Sequence, residues 1–90
     1  MSQVIDNPDN SAPKPVVLLK NYGISMRGIA RGLGVSPDTV RDVLSLEQFR
    51  VVGHENTTRI RLRIEALLEA WGEDVSDLWA EYDRQLEDAA

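Results

Sequence analysis

The sequence around Gly34 restricts the possible folds most, because one helical pattern ends there and another begins within three residues. Glycine readily adopts the left-handed conformation that a sharp turn between helices needs. Ser36 then offers a side-chain oxygen to cap the next helix, and Pro37 fits its first position. Asp38 complements the positive end of that helix's dipole. Two short helices joined by a tight turn are therefore predicted here.

Apolar spacing and helix breakers predict an all-α fold, a compact bundle of four to five helices. Residues 1–15 are rich in Pro, Asn, Asp and Ser, which predicts a disordered tail. Residues 46–56 are expected to form a loop or a short extended piece. The predicted helices begin at 15 or 16, 26, 37, 56 or 58, and 74, and they end near 22, 33, 45, 71 and 88. The predicted division is a tail (1–15), a helical domain (16–72) and an acidic C-terminal helix (73–90).

Length and composition narrow the function classes. Ninety residues make one small domain, which excludes a repressor that carries a large sensor domain. The absence of cysteine excludes a disulfide framework, and His54 is the only histidine, which excludes a zinc site of His and Cys ligands. No constellation of catalytic residues stands out, so we expect neither an enzyme nor a cofactor. No membrane span or signal peptide is recognisable, which predicts a cytoplasmic protein.

Charge is segregated along the chain, and its distribution says more than the net −5. Residues 14–63 carry nine Lys and Arg against four Asp and Glu, a net charge of +5. Residues 64–90 carry one Arg against nine acidic residues, a net charge of −8. The middle of the chain is therefore suited to a polyanion, whereas the C-terminal part would be repelled by one.

The segment 26–45 resembles the helix-turn-helix of bacterial and phage repressors, in the pattern A-x-x-x-G-[VIL]-S-x-x-T-V-x-x-[VIL]-[LI]. The matching residues are Ala30, Gly34, Val35, Ser36, Thr39, Val40, Val43 and Leu44. The resemblance implies a fold like that of the lambda repressor and a third helix that enters the major groove of double-stranded DNA. An ordinary helical hairpin without a ligand is the alternative.

This resemblance implies a DNA-facing set on the third helix: Ser36, Pro37, Asp38, Arg41, Asp42 and Ser45. Arg41 is the best candidate to read a base, since a guanidinium pairs bidentately with guanine. Ser36 and Thr39 suit contacts with phosphate. Asp38 and Asp42 depart from the family pattern, in which neutral amides or basic residues are common at these positions. A carboxylate there can accept a hydrogen bond from cytosine N4, but it repels nearby phosphates.

Other polar residues extend the predicted DNA contact. Arg27 and Arg31 lie four apart on the second helix, which Ser25 caps. The remaining candidates for phosphate contacts are Lys20, Arg50, His54 and Arg59. For each basic residue the alternative is a solvated surface charge, and for Arg61 and Arg63 that alternative is equally favoured.

Beyond the motif, residues 16–82 are similar to the small Ner-like regulators of Mu-like transposable bacteriophages. In those regulators the final helix follows a short turn and contains a Leu/Ile-Trp pair, which here is Leu78-Trp79. The similarity implies a phage or prophage regulator of early transcription or transposition, acting in a bacterial host. The longer acidic end, and the absence of a proline after Trp79, depart from that pattern.

The acidic C-terminal helix leaves two possibilities open. Its aromatic residues, with Trp71, are expected to pack in the core. Alternatively, some of Leu78, Tyr82 and Leu86 stay exposed and form the seam of a homodimer on a two-fold DNA site. In a rival class of function, an antitoxin or co-regulator, residues 73–90 instead bind a basic protein partner.

Overall fold

The computed structural model describes residues 12–89 as an all-α bundle, which confirms the predicted fold class. Within that range there are five α-helices, one short 3-10 helix and no strand. Residues 1–11 of the predicted disordered tail lie outside the described part. The α-helices are α1 (Lys14–Asn21), α2 (Met26–Leu33), α3 (Pro37–Leu44), α4 (His54–Ala70) and α5 (Ala80–Ala89), and the 3-10 helix is Phe49–Val51.

The first helix begins slightly earlier than predicted. Lys14, assigned to the tail from sequence, is its first residue, and Pro15, one of the two predicted starts, is buried in its first turn. Proline is tolerated in a first helical turn, where its missing N–H costs nothing. Gly23 follows the helix with a φ of 70°, in agreement with its predicted role as a breaker.

The turn between α2 and α3 forms where the sequence predicted it. Gly34 takes the left-handed conformation, with φ 71° and ψ 29°, and its N–H donates to the carbonyl of Ala30. Ser36 caps α3 by accepting a hydrogen bond at 3.2 Å from the backbone N–H of Thr39. The two helices pack against each other, and both pack on α4. Local capping therefore determines where these two helices end and begin.

Gly34→Val is expected to destabilise the domain by about 1–3 kcal/mol, because a β-branched residue is strained at this positive φ. Thermal unfolding followed by circular dichroism would measure the change. Gly34→Asn is the matched control, since asparagine tolerates the left-handed region and should cost clearly less. Equal losses for both variants would show that conformational strain at Gly34 does not determine the effect.

The core is organised around α4. Ile60, Ile64 and Leu68 recur on one face of this helix and are fully buried. The other buried hydrophobic residues come from the remaining elements: Leu19, Ile29, Ala30, Val40, Val43, Leu44, Phe49, Leu78, Trp79 and Tyr82. Because α1, α2, α3 and α5 are each ten residues or fewer, these contacts and not intrinsic helicity hold them in place.

The connection between α3 and α4 is shorter and more helical than predicted. Phe49 is buried in the 3-10 helix, and its ring meets that of Tyr82 edge to face, with centroids 5.2 Å apart. The fourth helix already begins at His54, two residues before the earliest predicted start. His54, predicted to lie in a loop, is thus the first residue of α4.

The fifth helix begins at Ala80, later than the predicted start near 74. Asp74 instead accepts a hydrogen bond at 2.9 Å from the N–H of Ser76, a local turn that competes with helix formation. This bond also lowers the pKa of the Asp74 carboxyl. Trp71, expected in the core, is 60% exposed and stacks on Tyr22 at 5.3 Å.

The structure contradicts two of the three residues considered for a dimer seam. Leu78 and Tyr82 are buried within the chain itself, and the Tyr82 hydroxyl donates to the carbonyl of Leu44 at 2.6 Å. Both belong to the hydrophobic core, where the ring of Tyr82 packs edge to face on Phe49, so their apolar surface is covered within the chain. Leu86, by contrast, is 44% exposed and stays available to a partner.

Candidate nucleic-acid interface

The start of α3 presents an exposed polar surface. Ser36, Pro37, Asp38 and Arg41 are all exposed. Asp38 and Arg41 form an ion pair at 2.7 Å, with 77% and 64% of their side chains exposed. Surface pairs of this kind contribute about 0–1 kcal/mol, so Arg41 can exchange its partner for a base edge at little cost. This pair gives Asp38 a role that its sequence position alone did not reveal.

The hydroxyl side chains of the predicted DNA contact, those of Ser25, Ser36, Thr39 and Ser45, all have local partners. Ser36 Oγ lies 2.9 Å from Thr39 Oγ1, in addition to capping α3. Ser25 Oγ accepts from the N–H of Gly28 at 3.0 Å and so caps α2. Ser45 Oγ accepts from the N–H groups of residues 47 and 48, both at 3.2 Å. Their first function is thus to fix the ends of helices and the turn that follows α3.

Exposed basic side chains flank this surface. Arg27 and Arg31 are exposed on α2, which packs directly against α3. Lys20 is exposed in the last turn of α1, and Arg50 is exposed in the 3-10 helix. Asp42, by contrast, is half-buried and less accessible than the other acidic residue of α3.

Arg59 has a structural role that sequence reasoning missed. Its Nη2 donates to the carbonyl oxygen of Leu33 at 2.7 Å, although the two residues lie 26 positions apart. This carbonyl belongs to the last turn of α2, where the helix dipole favours a positive charge. Arg59 therefore links α4 to the end of α2, and its side chain is exposed, so its predicted DNA contact stays a prediction. The arginine one turn further on, Arg63, runs beside Gly32 in the same turn.

Arg61 is not the exposed helix arginine that was one of its two interpretations from sequence. Its guanidinium lies 4.8 Å from the centroid of the Trp79 ring and 5.7 Å from that of Tyr82. Its side chain is only 18% exposed, and Asp83 approaches Nη1 at 3.5 Å. The cation thus helps to fix α5 on α4.

Arg61 also lines an open groove of about 640 Å³ between the 3-10 helix, the start of α4 and the end of α5. Arg50 and His54 stand in the same lining, so the structure brings these two predicted contact residues together. Apolar side chains, among them Phe49 and Leu86, line the rest of it. The groove therefore combines cationic and apolar surface.

Metal-binding clusters and membrane-spanning helices are both absent from the described part of the chain. No group of three or more His, Asp or Glu side chains in residues 12–89 could hold a metal ion. Among the same residues, no helix has both the length and the apolar character needed to cross a bilayer. In comparisons with protein-family models, curated proteins and solved structures, the chain matches none.

Proposed function

We propose that this chain binds double-stranded DNA sequence-specifically, with α3 inserted into the major groove. The observation that carries the proposal is the exposed, capped start of α3, which presents Arg41 beside the exposed Arg27 and Arg31 of α2. Arginine pairs with guanine in the major groove, and basic side chains on an adjacent helix suit the flanking phosphates.

The position of the acidic helix supports this orientation. Tyr82 ties α5 to the carbonyl of Leu44, the last residue of α3. The proposed reading surface lies toward the opposite end of that helix, around Asp38 and Arg41. The first turn of α5 is thus joined to the end of α3 that follows Arg41, and not to the start that Ser36 caps.

The proposed biological role is that of a phage or prophage regulator of early transcription or transposition, as a homodimer on a two-fold site. Leu62 and Leu86 are candidates for the contact between copies, since both are large apolar side chains that are more than two-fifths exposed. Selection of bound sequences from a random duplex pool tests this role: a symmetric consensus supports the dimer, and a single half-site contradicts it.

Duplex binding should weaken steeply with salt, since contacts with phosphates release counterions. Five phosphate contacts would give a slope of about −4 to −5 in log K against log salt concentration. Fluorescence anisotropy of a labelled duplex between 50 and 200 mM salt, roughly the range in which such slopes are resolved, would measure it. Affinity independent of salt would contradict the proposed electrostatic contact.

Arg41→Ala should reduce discrimination between the selected site and random DNA by about 1–3 kcal/mol, because it removes the base contact. Arg84→Ala, an exposed arginine of α5, is the matched control and should leave discrimination unchanged. Competition between specific and random duplexes measures the difference. An equal loss on both duplexes would make Arg41 a phosphate contact instead.

A second candidate function is a protein-interaction module, antitoxin or co-regulator, that binds a basic partner. The exposed acidic residues of α5 favour it: Glu81, Asp83, Glu87 and Asp88. Glu87→Gln with Asp88→Asn separates the two candidates, because neither side chain is buried. Weaker partner binding with unchanged DNA binding would support the interaction module.

A further inference from the structure

The groove beside the start of α4 is lined by cationic and apolar groups together. Three of the described residues that form it carry or can carry positive charge, namely Arg50, His54 and Arg61. None of the described lining residues is acidic. Asp83, which is not part of the lining, approaches Arg61 Nη1 at 3.5 Å, but its side chain is 60% exposed. The lining itself keeps an excess of positive charge, which favours an anionic occupant in a concave site.

Hydrogen-bond donors add to this charge. The groove includes Thr57 and Thr58, in the first turns of the 17-residue helix α4. Gly53 caps that helix without a side-chain hydrogen bond. The first backbone N–H groups of α4 and the positive end of its dipole therefore lie beside the groove.

Arg61 supplies an independent observation. Its Nε is buried and has no hydrogen-bond partner in the described part of the chain. Buried polar groups in folded proteins are normally paired, and an unpaired guanidinium N–H is costly. Arg61 therefore keeps unused hydrogen-bonding capacity beside the groove that it lines.

We propose that this groove binds a small organic anion, in which a carboxylate, sulfonate or phosphate is attached to an apolar body. The cationic side chains and the threonines suit the anionic group, and Phe49 and Leu86 suit the apolar part. The volume of about 640 Å³ falls within the range of about 300–1,000 Å³ typical of small-molecule sites.

Occupancy of the groove would affect DNA binding through shared residues. Arg50 and His54 belong both to the groove and to the proposed DNA contact. An anion in the groove competes with phosphates for these two side chains, so it lowers DNA affinity. This consequence rests on the proposed DNA-binding function, whereas binding of the anion itself does not.

The test uses the full chain and the fluorescent probe 8-anilinonaphthalene-1-sulfonate, which joins an apolar ring system to a sulfonate. We expect saturable binding with one probe per chain and a dissociation constant of roughly tens of micromolar. N-phenyl-1-naphthylamine, which lacks only the sulfonate, should bind at least about tenfold more weakly, because it loses the charge-assisted hydrogen bonds. Equal binding of the two probes would overturn the proposal.

Variants place the probe in the groove. Arg50→Gln and His54→Gln alter exposed side chains and should each weaken probe binding about 3- to 10-fold. Arg84→Gln makes the same change as the first of these on α5, outside the groove lining, and should have no effect. Binding that neither groove variant weakens would overturn the proposal.

Backbone amide shifts in a nuclear magnetic resonance titration locate the bound probe. The largest changes are expected in residues 49–58 and at Leu86. Changes centred on the exposed Trp71 instead would place the probe elsewhere and contradict the site. If duplex DNA shifts the groove amides while the probe does not bind, the groove is a DNA surface and not a small-molecule site. Probe binding without DNA binding would leave this site standing and reject only the proposed function.

Discussion

A chain truncated after Gly72 should lose cooperative unfolding altogether. The truncation removes Leu78, Trp79 and Tyr82, three core side chains that are each at most 8% exposed. Burial of a large apolar side chain contributes roughly 1.5–3 kcal/mol, so the three together approach the about 5–15 kcal/mol by which small domains are stable. Phe49 and the guanidinium of Arg61 would also lose their contacts with aromatic rings.

The matched control is a chain that ends at Leu86, which keeps every buried residue of α5. It should unfold with a midpoint within a few degrees of the full chain. Urea denaturation monitored by circular dichroism measures both, since the slope reports the surface exposed on unfolding. An unchanged slope and midpoint for the chain ending at Gly72 would mean that α5 is not part of the cooperative unit.

The need for α5 in folding limits the experiments that can separate DNA binding from partner binding. Removing residues 73–90 would abolish both by unfolding the domain, so truncation does not distinguish a regulator from an interaction module. Substitutions on the exposed face of α5, such as those at Glu87 and Asp88, leave the core intact. The acidic helix is thus both a structural element and a candidate surface.

Local signals accounted for the parts of the fold that the sequence predicted well. The ends of α2 and the start of α3 depend on Ser25, Gly34 and Ser36, whose effects reach only three or four residues. Such capping and turn preferences can be predicted from a short window of sequence. Apolar spacing likewise predicted α4, whose buried face carries Ile60, Ile64 and Leu68.

Long-range contacts determined what the sequence did not predict. Trp71 fits the apolar pattern of α4, but its helix ends there and the ring stacks on Tyr22, 49 positions earlier. The end of α2 meets Arg59, and the rings of Trp79 and Tyr82 meet Arg61. The residues next to these arginines in sequence do not distinguish them from ordinary surface arginines. Their roles become visible only in the tertiary structure.

The candidate DNA surface shows the same division. Exposure of Arg27, Arg31 and Arg41 follows from helical spacing opposite the buried positions. The pairing of Asp38 with Arg41 also follows from i,i+3 spacing, although it was not anticipated. The groove, in contrast, joins residues 49–61 to Leu86 and forms only when α5 folds back onto α4.

Tyr82→Ala should destabilise the domain by about 3–5 kcal/mol, the usual cost of removing a fully buried aromatic ring. Tyr82→Phe keeps the ring, with its edge contacts to Phe49 and Trp79, and removes only the hydroxyl. It leaves the carbonyl of Leu44 without this donor, which should cost about 1–3 kcal/mol at neutral pH. Urea unfolding at pH 7 measures both changes, and equal losses would mean that ring packing contributes nothing.

The same hydroxyl makes stability depend on alkaline pH. Burial raises the pKa of Tyr82 above the value near 10 expected in the unfolded chain. Its contribution is therefore fully present below about pH 10 and is lost as the pH rises further, because only the unfolded state then releases this proton. The decrease reaches about 1.4 kcal/mol per pH unit for this one group. Tyr82→Phe should show a correspondingly shallower decrease between about pH 10 and 11.

A second tyrosine provides the control for this pH dependence. The pKa of Tyr22 is also raised, by its hydrogen bond to Glu73 and by burial. Tyr22→Phe should therefore also lessen the alkaline loss, but without the large cost at pH 7, since Tyr22 is only half-buried and its partner lies near the surface. The double variant, with both tyrosines replaced, should retain the decrease due to Lys14, whose pKa is raised by its hydrogen bond with Asp77. An alkaline decrease as steep in Tyr82→Phe as in the parent chain would show that the Tyr82 hydroxyl ionises alike in both states, and that its buried bond to α3 does not hold the proton.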